Sequence, residues 1–235
     1  MKTLGMIGGT SWHATEAYYR MINEGVSRHI GTQGNPELIL HSINIEVMRS
    51  RDGDRIRAKY LEVARLLEQH GAQGILICAN TPHMVYEHVQ PRIGIPILHI
   101  ADATGAAAQA QGLKTLGLLG NKPTMTGDFI SGRLQREFGI RTLIPALEGQ
   151  ERSNHYVSKE LTHGKFTPEA RAFFTGEIQK LAAAGAQGII LGCTELPLLI
   201  RQEEVDVPVL ATTDLHARMA VDFILEREPG TPPVL

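Results

Sequence analysis

A chain of 235 residues is long enough for one large domain, or for two of about 115 residues that each bury a core. Hydrophobic residues make up 43% and the net charge is −2, an ordinary globular composition with no basic footprint for nucleic acid or an anionic membrane surface. No stretch approaches the roughly 18 apolar residues of a membrane span, so neither membrane nor nucleic acid is expected as a partner.

The first ten residues hold one Lys before an apolar run that is too short and too glycine-broken for a secretory leader. Two cysteines, Cys78 and Cys193, make no disulfide framework, and reduced thiols in a cytoplasm are the expected state.

In chain order, Thr3–Ile7 is a short apolar run that ends in Gly8-Gly9-Thr10-Ser11, the pattern of a buried parallel strand followed by a turn. A helical pattern follows over Thr15–Arg28, then a strand over Glu37–Ile43. A long helix covers about Arg55–His70, with Ile56, Tyr60, Val63, Leu66 and Leu67 at three-to-four spacing. Strands follow at Gly74–Cys78 and Pro96–Ile100. A second series begins with a strand at Leu116–Leu119 and a helix over Thr126–Phe138. Its long helix is Pro168–Ala184, opened by a first-turn Pro168 with Thr167 as cap. A strand then runs to Leu191, and the proline-bearing end, Glu228–Leu235, reads as a frayed tail.

The second series echoes the first. KTLGMIG at Lys2–Gly8 returns as KTLGLLG at Lys114–Gly120, GAQGILI at Gly71–Ile77 as GAQGIIL at Gly185–Leu191, and IPILHIAD at Ile95–Asp102 as VPVLATTD at Val207–Asp214. Three near-identities in one order at one nearly constant spacing indicate a duplication. The expected organisation is therefore an α/β half over residues 1–113, a second over 114–228 and a tail over 229–235. The C-terminal segment is free to cross back and pack on the first half. Strands that alternate with helices imply parallel sheets covered on both faces.

Ligands of such sheets bind beyond the carboxyl ends of the strands. Four segments fall there: Gly8–Ser11, Ala79–His83, Lys122–Thr126 and Gly192–Glu195. All are rich in Gly, Thr, Ser or Asn, which suits a small carboxylate more than a nucleotide, since no GxGxxG or P-loop lysine is present. No His and Cys have the spacing of a metal site. Cys193 follows a buried strand and precedes an expected helix, whose N-terminus would lower the thiol pKa. Cys78 sits inside an apolar run and reads as structural. The repeat pairs Cys193 with Ala79, so one of two equivalent positions carries no thiol.

The segments IGGTSW at Ile7–Trp12, ANTPH at Ala79–His83, TMTGDF at Thr124–Phe129 and LGCTELPLLI at Leu191–Ile200 resemble the signatures of the aspartate/glutamate racemase superfamily, and the resemblance runs over nearly the whole chain. It implies two Rossmann-like halves related by a pseudo-two-fold axis, an active site in the cleft between them, no cofactor and a tendency to form homodimers. It further implies a small anionic amino-acid or dicarboxylate substrate. Racemisation takes a Cα proton from one face and returns one to the other, so two acid–base groups are needed. Typical members supply two cysteines; here the second is Cys193 and the first is replaced by Ala79.

The resemblance carries other roles by position. Asn80, Thr81 and Thr194 would hold the substrate carboxylate, and Thr10, Ser11 and Thr124 would line the floor. Lys165 or, less well placed, Arg49 would meet a side-chain carboxylate; the alternative for both is an exposed loop charge. Glu195 would tune Cys193 or simply cap the next turn. His83 reads as structural, though it lies close to Ala79. The group opposite Cys193 would be a water, Thr81 or a displaced Cys78. The expected activity is a cofactor-independent amino-acid racemase acting through Cys193 and Thr81. A single-cysteine decarboxylase, a diacid isomerase and a non-catalytic amino-acid-binding protein remain as alternatives.

Overall fold

The computed structural model describes residues 1–227, and the expected tail at 229–235 lies outside them. The chain divides into two units: Met1–His99 together with the segment from His216 onward, and Ile100–Leu215. In the first, β1 (Leu4–Gly8), β2 (Leu38–Ser42), β3 (Gly74–Ile77) and β4 (Ile97–Leu98) form a parallel sheet in the order β2-β1-β3-β4. In the second, β5 (Thr115–Gly120), β6 (Arg141–Leu143), β7 (Gly188–Gly192) and β8 (Val209–Ala211) repeat it as β6-β5-β7-β8. Both central strand pairs are buried throughout except at Thr115, the first residue of β5, as their apolar and glycine runs require.

The duplication reappears at the level of single hydrogen bonds. Gly71 and Gly185 both turn the chain with positive φ, at 94° and 99°. Gln73 and Gln187 then brace the edge of β1 and β5 through the same pair of contacts, accepting from the backbone N–H of Thr3 and of Thr115 and donating their own N–H to the carbonyls of those residues. A further echo escapes motif reading because the surrounding residues differ. Gln90 accepts from Ile97 N–H and donates to Ile95 O, and Gln202 does the same with Val209 and Val207.

The long helices arise as their spacing demands. Gly53–Gln69 is capped by Asp52 and buries Ile56, Tyr60, Val63, Ala64 and Leu67. Pro168–Ala183 is capped by Thr167, whose hydroxyl accepts from Ala170 N–H at 3.2 Å, and buries Phe173, Phe174, Glu177, Ile178 and Leu181. Each fully buried large apolar side chain contributes about 1.5–3 kcal/mol.

The boundary between the units differs from the expected break at residue 113. The helix Ile100–Ala110 packs Ile100, Ala101 and Ala108 with Leu116, Leu118 and Leu134, and its Asp102 meets Arg133 through two contacts at 2.5 and 2.8 Å. It therefore belongs with the strands that follow it. The helix Thr212–Ile224 likewise places Ala217, Ala220, Val221 and Ile224 in the cluster of Leu4, Met6, Tyr18 and Ile22.

Two other differences are local. The expected helix over Thr126–Phe138 is divided by Gly127 into Lys122–Thr126, capped by Asn121, and Asp128–Phe138. The helix Leu147–Lys159 gave no periodic signal because the residues it buries are the small Gly149 and Ser153 together with Val157. No helix among the described residues is long and apolar enough to cross a membrane.

Candidate active site

In each unit the two central strands end side by side, and the loops beyond them bring the sequence candidates together. In the first unit Ile7 pairs with Ile77, so the loop of Thr10 and Ser11 and the loop of Asn80 and Thr81 leave neighbouring strands at the same end of the sheet. In the second, Gly120 pairs with Gly192, so Thr124 emerges next to Cys193, Thr194 and Glu195. Both glycines are needed for this: a Cβ on Gly192 or Gly120 would lie 3.0 or 3.3 Å from the Thr124 methyl and 2.9 Å from a backbone oxygen of the facing strand. Thr124 is consequently fully buried.

Cys193 is the best-defined chemical group. It is buried at 9% exposure, and its Sγ donates to Glu195 Oε2 at 2.8 Å. The Thr194 hydroxyl donates to the same oxygen at 2.7 Å. Glu195, itself buried, therefore gathers two donors on one carboxylate oxygen instead of serving only as a turn cap.

The expectation of a thiol pKa lowered by a helix N-terminus is overturned. The helix after Cys193 is the single turn Leu196–Leu199. Burial, followed by the Glu195 charge, pushes the Cys193 thiol well up, and the backbone N–H groups of Glu195 and Leu196 offset only part of this. At rest the site holds a neutral thiol pointed at a carboxylate.

The corresponding point of the first unit is occupied differently. Cys78 is 1% exposed among Leu4, Met6, Tyr18 and Leu76, and burial pushes its thiol far up. A displaced Cys78 as a second acid–base group is thus overturned, because this thiol belongs to the apolar core. His83 is fully buried; its Nδ1 lies 2.9 Å from Ala79 O and 3.1 Å from Asn80 O, and since carbonyls only accept, this nitrogen carries the proton. His83 fixes the turn that displays Asn80 and Thr81, and it stacks edge-on against His99 and His216 at 4.7 and 5.4 Å.

The floor residues have defined partners. Ser11 caps the helix Trp12–Ile30 by accepting from Ala14 N–H at 3.2 Å. The Thr10 hydroxyl shares a 2.8 Å hydrogen bond with the Tyr60 hydroxyl. By its spacing Tyr60 is an apolar position of the helix Gly53–Gln69, and nothing local in the sequence marks its hydroxyl. The available signal was the repeat, which places Phe174 at the equivalent position, so the hydroxyl is the one thing Tyr60 adds.

The two candidate cations stand further out. Lys165 is exposed on the loop between Leu161 and Ala170, both members of the cluster that contains Cys193. Arg49 is exposed at the end of the short helix Glu46–Arg49 and pairs with Glu46 at 3.4 Å. Among the described residues no three of His, Cys, Asp and Glu are grouped as a metal ion would need.

The family model described as Asp/Glu/Hydantoin racemase matches residues 7–220. A solved structure from Yersinia pestis, described there as a candidate Asp/Glu racemase, is 38% identical; the match covers 96% of this chain and 100% of that one with a TM-score of 0.91. A broad-specificity amino-acid racemase of Bacillus subtilis is 21% identical across 94% of this chain and 98% of its own length. A glutamate racemase of a Roseiflexus species is 27% identical over 76% of this chain, which spans 66% of that protein's length.

Proposed function

The chain belongs to the Asp/Glu/Hydantoin racemase family, and from that premise we propose that it is a cofactor-independent amino-acid racemase in which Cys193 moves the Cα proton. The observation that carries the reading is the Cys193 thiol directed at the Glu195 carboxylate at 2.8 Å in a buried environment. A nucleophile or base held by a second group, which a third group orients, is the arrangement proton-transfer catalysis needs, and Thr194 on the same carboxylate oxygen supplies the third.

The steps follow from the atoms. Glu195 takes the Sγ proton, and the thiolate then takes the Cα proton, so that the Cα–H bond breaks, an S–H bond forms and the electron pair stays on the carbon. A hydroxyl proton from Thr81 is delivered to the opposite face, and solvent restores the hydroxyl and relieves Glu195. A raised thiol pKa helps here, since it makes the thiolate a stronger base toward a weak carbon acid. Asn80 and the backbone N–H groups of Thr81 and Thr194 hold the substrate carboxylate, Thr10, Ser11 and Thr124 shape the floor, and Lys165, with Arg49 as the second choice, meets a side-chain carboxylate. Enantiomer interconversion of aspartate, glutamate and neutral amino acids, followed by chiral chromatography, tests this. The wild type is expected to turn over at least one pair and Cys193→Ser to lose it; turnover that survives in Cys193→Ser sinks the proposal.

The neutral thiol also favours a second reading, a decarboxylase in which Cys193 protonates a carbanion left by loss of carbon dioxide. That chemistry needs one proton donor and is consistent with Ala79. Release of carbon dioxide from a substituted malonate, with no racemisation, is its distinguishing result.

A further inference from the structure

The helices Gly53–Gln69 and Pro168–Ala183 occupy the same place in the two units. Leu67 and Leu181 lie in the same way against Gly5 of β1 and Gly117 of β5. In that register Glu177 stands where the first unit has Val63. Val63 is 1% exposed in an apolar cluster; Glu177 is 5% exposed. A carboxylate at a core-helix position costs stability that a valine does not, so its presence in one copy points to use rather than packing.

Its two oxygens are not equally occupied. Oε1 accepts from Lys180 Nζ at 2.7 Å, and Lys180 is 75% exposed. Oε2 faces Gly149, where a Cβ would come within 2.7 Å, and it accepts no hydrogen bond from any described residue. Glu177 lines a cavity of about 270 Å³ bounded also by Arg152, Phe173, Ile144 and Leu181. The Arg152 guanidinium lies 4.6 Å above the Phe173 ring and has no carboxylate at ion-pair distance among the described residues. An open acceptor at the back, two cations at the rim and apolar walls between them are complementary to a zwitterion with an apolar body.

We propose that this cavity binds a free amino acid with an apolar side chain. Its ammonium donates to Glu177 Oε2, its carboxylate accepts from Arg152 and Lys180, and its side chain rests on Ile144, Phe173 and Leu181. The proposal stands apart from the racemase reading, because none of these residues belongs to the Cys193 site.

Calorimetric titration of the full chain with L-leucine tests it, using wild type, Glu177→Val, Arg152→Ala and Cys193→Ser. Valine fills the equivalent position in the first unit, so Glu177→Val is expected to fold; Arg152 is exposed, so Arg152→Ala keeps the test intact if the first variant fails. The expected result is equal binding by wild type and Cys193→Ser, with affinity weaker by about tenfold or more in Glu177→Val and Arg152→Ala, each of which loses a charge-assisted contact. No heat from wild type at millimolar L-leucine overturns the proposal. Unchanged affinity in Glu177→Val and Arg152→Ala also overturns it, as does binding lost only in Cys193→Ser, which would place the amino acid at the Cys193 site.

Discussion

In the first unit β3 runs out into Cys78, Ala79 and Asn80, with the Cys78 thiol packed among Leu4, Met6 and Tyr18 and three buried histidines in the same unit. In the second, β7 runs out into Gly192, Cys193 and Thr194, with the thiol one position further along and directed at Glu195. The glycine turns and glutamine hydrogen bonds that lead to these loops are shared. A repeated backbone therefore holds a thiol packed in an apolar cluster in one copy and a buried thiol directed at a carboxylate in the other, and one step along the strand end decides which. Strand alternation explains why: neighbouring side chains point to opposite faces.

The sharpest way to break the comparison is to remove what only the second loop has. Glu195→Gln keeps the shape and removes the proton acceptor, so kcat is expected to fall by about 10²–10⁴-fold, measured as racemisation rate. A variant as active as wild type would leave the thiol–carboxylate pair without a role.

Acid probes what only the first unit has. His216 is fully buried, with Nε2 donating to Leu98 O and Nδ1 accepting from the Tyr18 hydroxyl. Burial first, then the neighbouring His83, lowers its pKa from 6.5 to about 3. The unfolded chain thus binds a proton that the folded chain refuses, and stability present above pH 6.5 is lost as pH falls toward 3, by up to about 1.4 kcal/mol per unit. Urea unfolding between pH 7 and 5 is expected to show this loss, and His216→Gln is expected to flatten it.

A third change restores the symmetry. Ala79→Cys places a thiol opposite Cys193 in the repeat and is expected to raise racemisation about tenfold, a modest general acid–base gain, read from initial rates in both directions. The smallest effect concerns the floor. Tyr60→Phe reproduces the Phe174 of the other copy and is expected to cost about 1 kcal/mol for the lost Thr10 hydrogen bond. It is expected to raise KM with little change in kcat, and to add nothing in a Thr10→Val background.

Much of this arrangement was legible in the sequence because strands and glycine turns leave local marks. The apolar runs locate β1, β3, β5 and β7, and the repeat pairs Ala79 with Cys193. The unit boundary was not legible, since the helix Ile100–Ala110 chooses its neighbours by packing rather than by order in the chain. The direction of the Cys193 pKa is not legible in the sequence either, because burial and a carboxylate two residues on outweigh a one-turn helix. Tyr60 and Glu177 escaped for the opposite reason: each sits at a helix position where an apolar residue would pack equally well, and only their polar partners reveal them.

The central claim is that Cys193 exchanges a proton with the substrate Cα. Incubation of each pure enantiomer in deuterium oxide, with the label at Cα read by mass spectrometry, tests it most directly. The account predicts solvent deuterium entering Cα in the wild type and no label above background in Cys193→Ser. Label that enters at the same rate in Cys193→Ser would contradict it.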